Sequence, residues 1–192
     1  MNEAADGGSL TAIPDSELVA RALAGQQTAY SALLKRYREP VYRLARSHLG
    51  DESEALDVTQ ECFIAAFAAL ARYDPQRPFK AWILRIAINK CHDWRRRRMV
   101  RRLFTFARPL DEAAQVADLA PDPESVLAAR GEADRLRAAL ADLPDKLKDP
   151  LLLCALEGLS QDEAAALLGV SRKTVETRIY RARQKLTELL EG

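Results

Sequence analysis

The sequence predicts an all-α protein: two small helical domains joined by a flexible acidic linker. Three observations point there. Of its 192 residues, 48% are hydrophobic but only 6% aromatic, and abundant Ala and Leu favour helices over sheets. Apolar residues recur at spacings of three and four, while no alternating stretch of convincing length appears. From about Thr105 to Glu124 that periodicity fails, and Pro109, Pro121 and Pro123 sit among Asp111, Glu112, Asp118 and Asp122, as in a mobile linker. The expected divisions are a disordered tail (1–14), a first domain (15–103), the linker (104–129) and a second domain (130–192).

The helices follow in order. Asp15 can cap a helix reaching about Ala24, with Leu18, Val19 and Leu23 as its apolar side and Gly25 as its stop. Gln27 to Leu49 is a second helix, carrying Tyr30, Leu33, Leu34, Tyr37, Val41, Leu44 and Ala45 on one stripe. Pro40 is expected to interrupt or kink it, and Gly50-Asp51 to end it. A third helix spans about Ser53–Leu70. After the turn-like Tyr73-Asp74-Pro75-Gln76-Arg77-Pro78, a fourth runs from Phe79 to about Arg98. Beyond the linker, Pro150 reads as a first-turn proline after an Asp149 cap, with a short helix reaching Glu157.

Ser160-Gln161-Asp162-Glu163 is a capping box. Ala164, Ala165, Leu167 and Leu168 follow as a buried side, Gly169 permits a sharp turn, and Ser171 can cap the next helix. That helix has Val175, Ile179, Ala182, Leu186 and Leu189 at spacings 4, 3, 4, 3. The opposite face carries Lys173, Glu176, Thr177, Tyr180, Arg181 and Gln184. A helix, a glycine turn and a helix with one apolar and one polar, basic stripe make a helix-turn-helix. Lys173, Thr177 and Arg181 could reach base edges, and Arg172, Arg178 and Arg183 could hold phosphates. Glu176 could accept a hydrogen bond from a cytosine amine, or it could pair within its own helix with Arg172 or Tyr180.

The net charge of +1 hides an asymmetry: residues 15–103 carry +7, 104–130 carry −3 and 131–192 carry −1. Six arginines fall within residues 95–102 (Arg95, Arg96, Arg97, Arg98, Arg101, Arg102), a phosphate-binding patch. Tyr73, Phe79 and Trp82 lie around the start of the same helix. Aromatics beside a basic helix suit single-stranded nucleic acid, by stacking and phosphate neutralisation. The same rings could equally be core. On the third helix, Asp57, Gln60 and Glu61 share a face with Glu54, a stripe that could dock a basic helical partner.

Other classes are excluded or disfavoured. No apolar run approaches the length of a membrane span, and the N-terminus lacks the basic start and apolar core of a signal peptide, so the expected location is the cytoplasm. Cys62, Cys91 and Cys154 have neither disulfide-framework nor zinc-knuckle spacing. There is no HExxH, P-loop or GxSxG, and the two histidines are His48 and His92. Neither catalysis nor a cofactor or metal is expected.

Three stretches carry a family resemblance. Asp57-Val58-Thr59-Gln60-Glu61-Cys62-Phe63, the run Phe79–Asn89 with Trp82 and Arg85, and the pair Gly158–Ala165 and Thr174–Arg183 together resemble the extracytoplasmic-function (ECF) subfamily of bacterial σ70-type RNA polymerase sigma factors. The resemblance covers about residues 15–103 and 130–190. It implies a region-2-like four-helix domain, a region-4-like helix-turn-helix, and a transcription initiation factor. Asp57, Gln60, Glu61 and Phe63 match positions that bind the clamp helices of core RNA polymerase. Tyr73, Phe79, Lys80, Trp82, Asn89 and Arg95–Arg98 (including Arg96 and Arg97) match the −10 DNA surface, where a base is held outside the stack. Arg172, Lys173, Glu176, Thr177, Arg178, Tyr180 and Arg181 match the −35 reader, although many members carry a basic residue where Glu176 stands. Promoter DNA and an anti-σ factor are the implied partners, with no membrane insertion. The competing readings are a helix-turn-helix regulator acting without polymerase, which leaves the Asp57 stripe idle, and a pure interaction module that binds no DNA.

Overall fold

A computed structural model describes residues 13–105 and 124–191, with side chains described for 13–101 and 131–191. Among the described residues every element is helical: α1 (Asp15–Leu23), α2 (Gln27–Leu49), α3 (Glu52–Ala68), a short 3-10 turn (Leu70–Arg72), α4 (Phe79–Thr105), α5 (Glu124–Asp142), α6 (Asp145–Ala155), α7 (Gln161–Leu168) and α8 (Arg172–Glu191). The expected mobility of the tail and the linker falls mainly on residues 1–12 and 106–123, outside the described residues.

Helices α1 to α4 pack around α2, whose buried stripe Ala29, Leu33, Tyr37, Val41, Leu44, Ala45 and Leu49 follows the sequence period. Phe79, Ile83, Leu84, Ala87 and Ile88 of α4 close against it with Cys62, Phe63 and Ala66 of α3. Each large side chain taken fully out of water contributes about 1.5–3 kcal/mol. In the C-terminal half, α6, α7 and α8 pack around Leu151, Leu152, Leu153, Ala164, Leu167, Val175, Ile179 and Ala182. The two apolar groups are continuous in one cluster, because α2 and α4 also contact α5, α6 and α7.

Four local readings are corrected. The N-cap of α1 is Pro14, and the Asp15 carboxylate is held by Arg36 and Tyr37 of α2. Helix α2 runs through Pro40 to a left-handed Gly50 (φ 76°), so losing one N–H there does not stop it. Helix α4 continues past Arg98 to Thr105, so the arginine run lies inside the helix and not at its C-terminal cap. Helix α6 starts at Asp145 behind Pro144, which puts Pro150 in its interior and leaves Asp149 buried in the packing rather than capping.

Candidate nucleic-acid and partner interfaces

The helix-turn-helix forms as its sequence dictates. The Glu163 N–H donates to Ser160 Oγ at 3.2 Å, and the Glu163 carboxylate accepts the Ser160 N–H at 2.8 Å. The Ser160 hydroxyl also donates to that carboxylate at 2.7 Å, and this bond first, with that of the Ser160 N–H, holds the Glu163 carboxyl below the usual carboxylate range. Gly169 closes α7 in the left-handed region at φ 67°, where a Cβ is strained. Ser171 Oγ then accepts the Thr174 N–H at 3.1 Å and starts α8.

Val175, Ile179 and Ala182 anchor α8, which leaves Lys173, Glu176, Tyr180 and Arg181 exposed and Thr177 and Arg178 half-buried. Arg172 is exposed and pairs with Asp162 at 3.3 Å. Glu176 pairs with neither of its expected neighbours; Lys173 Nζ lies 3.1 Å from its carboxylate. The Tyr180 hydroxyl, on a ring 63% exposed, accepts a bond from Gln184 Nε2 at 3.1 Å. The α7–α8 geometry therefore presents one polar helix face, and an α-helix is an element that a major groove admits.

On α3 the structure splits the expected docking set. Asp57 and Gln60 are exposed beside Leu56 and Ile64, and Ile64 is 70% exposed. Glu61 is half-buried, with Lys90 Nζ at 3.3 Å and Arg97 at 3.8 Å. Phe63 is core, its ring 5.7 Å from that of Phe67. An exposed Asp-Gln pair flanked by two bare aliphatics has the mixed character of a protein-docking face.

The basic run on α4 is internally matched. Arg95 bonds Asp145, Arg96 bonds Asp93, Arg97 faces Glu61, and Arg98 donates to Glu54 at 2.9 Å. Sequence reasoning missed this: the acidic stripe of α3 and the arginines of α4 are partners before either meets a ligand. Upstream, Tyr37, Tyr73, Phe79 and Trp82 form a ring cluster with centroids 5.1 to 5.4 Å apart. Phe79 and Tyr73 are buried in it, and Trp82 is half-buried. The Tyr73 hydroxyl donates to the Arg77 carbonyl at 2.5 Å and fixes the proline-bearing turn. Asn89 stands exposed on α4, in line with the exposed Arg85 and Arg96. Thus Asn89, Trp82 and the arginines share accessible surface, while Tyr73 and Phe79 support it from below.

Comparisons with known proteins identify the family of both halves. Residues 33–101 match Sigma-70 region 2, and residues 133–186 match Sigma-70, region 4. The chain is 42% identical over 181 residues to the RNA polymerase sigma factor CnrH of Cupriavidus metallidurans, across 93% of this chain and 95% of that protein. It is 36% identical over 169 residues to the ECF RNA polymerase sigma factor SigE of Mycolicibacterium smegmatis, across 86% of this chain and 64% of that one. The chain belongs to the ECF sigma factors of RNA polymerase. It is therefore a transcription initiation factor acting with core polymerase at promoters, and not a regulator working without polymerase. Among solved structures, CnrH in complex with the cytosolic domain of CnrY superposes with a TM-score of 0.67 at 38% identity, over 92% of this chain and 97% of that one.

In this σ factor the two halves meet through polar groups that carried no sequence signal. Glu157, 3% exposed, is bracketed by Arg43 Nη2 at 3.2 Å and Lys80 Nζ at 3.6 Å, and Lys80 also donates to its carbonyl at 2.5 Å. Burial raises the Glu157 carboxyl against the lowering pull of both cations. Lys148 is fully buried and donates to the carbonyls of Ala141 (2.6 Å) and His48 (3.2 Å). Its burial brings the ammonium down to about 8. Asp149 Oδ1 lies 3.2 Å from His92 Nε2 and 3.4 Å from His48 Nε2. The backbone is close here too: a Cβ on Gly50 would come within 3.1 Å of the Ala141 Cβ.

Proposed function

We propose that this σ factor uses three separate faces. The N-terminal domain (15–103) docks core RNA polymerase through Asp57, Gln60 and Glu61, with Phe63 supporting that face from within. The chemistry favours a basic partner such as the clamp helices, because exposed acids and amides beside Leu56 and Ile64 complement a basic, partly apolar surface. The same domain holds the −10 strand along α4. Asn89 reads a base edge, and Lys80 and Arg95–Arg98 hold phosphates once these displace their partners Glu157, Asp145, Asp93, Glu61 and Glu54. Trp82 forms the aromatic wall, with Tyr73 and Phe79 packed behind it. The C-terminal domain (130–192) reads the −35 element with Arg172, Lys173, Glu176, Thr177, Arg178, Tyr180 and Arg181.

The observation that carries this reading is the exposure of Asp57, Gln60, Asn89 and the α8 polar face on surfaces that the core does not need. The protein binds and positions and does not catalyse, and it acts in the cytoplasm; no described helix is long and apolar enough to cross a membrane. An anti-σ protein is the expected regulator, as CnrH is seen with the cytosolic domain of CnrY. In vitro transcription with core polymerase on a genomic promoter library tests the whole reading. Defined start sites that require the σ factor are expected; sequence-specific binding of the isolated protein with no polymerase-dependent transcript would overturn it.

A further inference from the structure

His48 of α2, His92 of α4 and Asp149 of α6 are brought to one point from far apart in sequence, with donor atoms all within 4.8 Å of one another. His48 is 1% exposed, and neither of its ring nitrogens has a hydrogen-bond partner in the structure, though Nε2 faces Asp149 Oδ1 at 3.4 Å. A buried imidazole left wholly unsatisfied costs free energy unless something binds it. The neighbouring cations do not fill that need. Lys148 is committed to the carbonyls of Ala141 and His48, and Arg95 to Asp145.

We propose that His48 Nε2, His92 Nε2 and Asp149 Oδ1 form a site for a divalent transition-metal ion of the zinc type, bridging the N-terminal and C-terminal domains. Two imidazoles and one carboxylate are the donor types such ions prefer. With metal–ligand bonds of about 2.0–2.2 Å, the donors of a tetrahedral site lie roughly 3.3–3.5 Å apart. The two edges to Asp149, a hydrogen bond of 3.2 Å from His92 whose proton the metal would replace and a contact of 3.4 Å from His48, lie within about 0.1 Å of that range. Asp145 Oδ2, 4.0 Å from His92 Nε2, is a fourth donor within reach of a small shift or a bridging water. His48 Nδ1 lacks the outer hydrogen-bond partner that usually orients a ligating imidazole, and Lys148 is a nearby like charge. Both weaken the site, so we expect dissociation constants on the order of micromolar rather than nanomolar. Because two ligands sit on the N-terminal domain and one on α6, the ion binds the docked arrangement better than any separated one and shifts the population toward it.

The test uses the full-length protein, stripped with chelator and titrated with Co2+ as the spectroscopic probe and Zn2+ as competitor. We expect one equivalent of Co2+ with visible d–d absorption of a nitrogen–oxygen site, displaced by Zn2+, and a Zn2+-dependent rise in Tm. His48→Ala removes a buried side chain and can unfold the domain, so His92→Gln and Asp149→Asn carry the test, each first shown to be folded by circular dichroism. Each should weaken binding at least tenfold and abolish the Zn2+-dependent rise in Tm. Three results would overturn the proposal: no binding at millimolar Co2+, affinity unchanged in both folded variants, or intense thiolate-to-metal absorption showing that cysteine holds the ion instead.

Discussion

Arg43 of α2 lies over Glu157, its guanidinium 3.2 Å from a carboxylate that is almost wholly buried, and this pair ties the start of the helix-turn-helix segment to the N-terminal helices. Lys80, at the start of α4, completes the bracket. A carboxylate removed from water is tolerated because both cations face it and Arg43 Nη2 donates to both of its oxygens. Arg43→Ala leaves that carboxylate half-served. It should cost about 1–3 kcal/mol of stability, discounted toward the lower value because Arg43 is partly solvated and Lys80 remains. Urea unfolding of the full chain, with interdomain distance followed by a fluorophore pair, reads it.

The two glutamates of this segment should titrate with opposite effects. Glu157 is raised by burial, so the folded protein holds its proton more tightly than the unfolded chain. Its contribution is complete below the ordinary glutamate value of 4.5 and is lost as pH rises through the folded value. Glu163 is lowered by its capping hydrogen bonds. Its contribution is present above 4.5 and is lost as pH falls through the folded value. Unfolding free energies from pH 3 to 8 should therefore show opposite changes in slope for Glu157→Gln and Glu163→Gln; slopes of the same sign would refute the assignment.

The Ser160 cap is the cheapest place to loosen the DNA-reading unit without touching its reading face. Ser160→Ala removes both the acceptor for the Glu163 N–H and a donor to the Glu163 carboxylate. The expected cost is about 0.5–2 kcal/mol, a fall in Tm of a few degrees. Ser160→Thr, which keeps both the acceptor and the donor at the same place, should recover most of it by differential scanning calorimetry.

Polymerase docking should depend on Asp57 more cleanly than on Glu61. Asp57 is exposed, whereas Glu61 is engaged by Lys90 and faced by Arg97. Asp57→Arg should reduce core polymerase binding at least tenfold with an unchanged Tm. Glu61→Arg should lower both, because it replaces the acid that faces Lys90 and Arg97 with a third cation. Unchanged pull-down of core by the Asp57 variant would remove this residue from the interface.

What the sequence made legible follows from how local each signal is. The α7–α8 unit was readable because its capping box, its glycine and its 4, 3, 4, 3 apolar spacing lie within thirty or so contiguous residues and need no distant partner. The extent of α4 was misjudged because nothing after Arg98 marks a stop, and Met99 and Val100 are compatible with a helix. Pro150 looked like a helix start because proline favours the first turn, but Pro144 takes that role six residues earlier. The matching of Arg97 and Arg98 to Glu61 and Glu54 depends on the α3–α4 crossing, and the His48, His92, Asp149 and Lys148 cluster depends on docking of the halves. Neither leaves a periodic trace, since each joins residues of different helices that lie far apart in sequence.

Strand capture gives the sharpest test of the proposed −10 surface. Asn89 offers a donor and an acceptor together and projects from a helix that is firmly anchored by Ile83, Leu84, Ala87 and Ile88. Arg85 and Arg96 are exposed in line with it, so a strand laid along α4 would meet a cation on either side of the base-reading amide, Arg85 directly and Arg96 in exchange for Asp93. A lost base contact of this kind costs about 1–3 kcal/mol, or roughly tenfold to a hundredfold in open-complex occupancy. Asn89→Ala should therefore depress transcription from duplex promoters by that factor, with core binding and −35 footprints unchanged. Because the side chain is exposed, the Tm should not move, which separates a lost contact from a lost fold. On a template with the −10 base pairs already opened, polymerase no longer spends binding energy on melting, and the defect should shrink several-fold. Asn89→Asp keeps the acceptor but loses the donor and adds a charge that repels phosphate, so it should be at least as impaired on duplex DNA and more salt-sensitive. Normal transcription by either variant on a duplex promoter would assign the captured base to another part of α4.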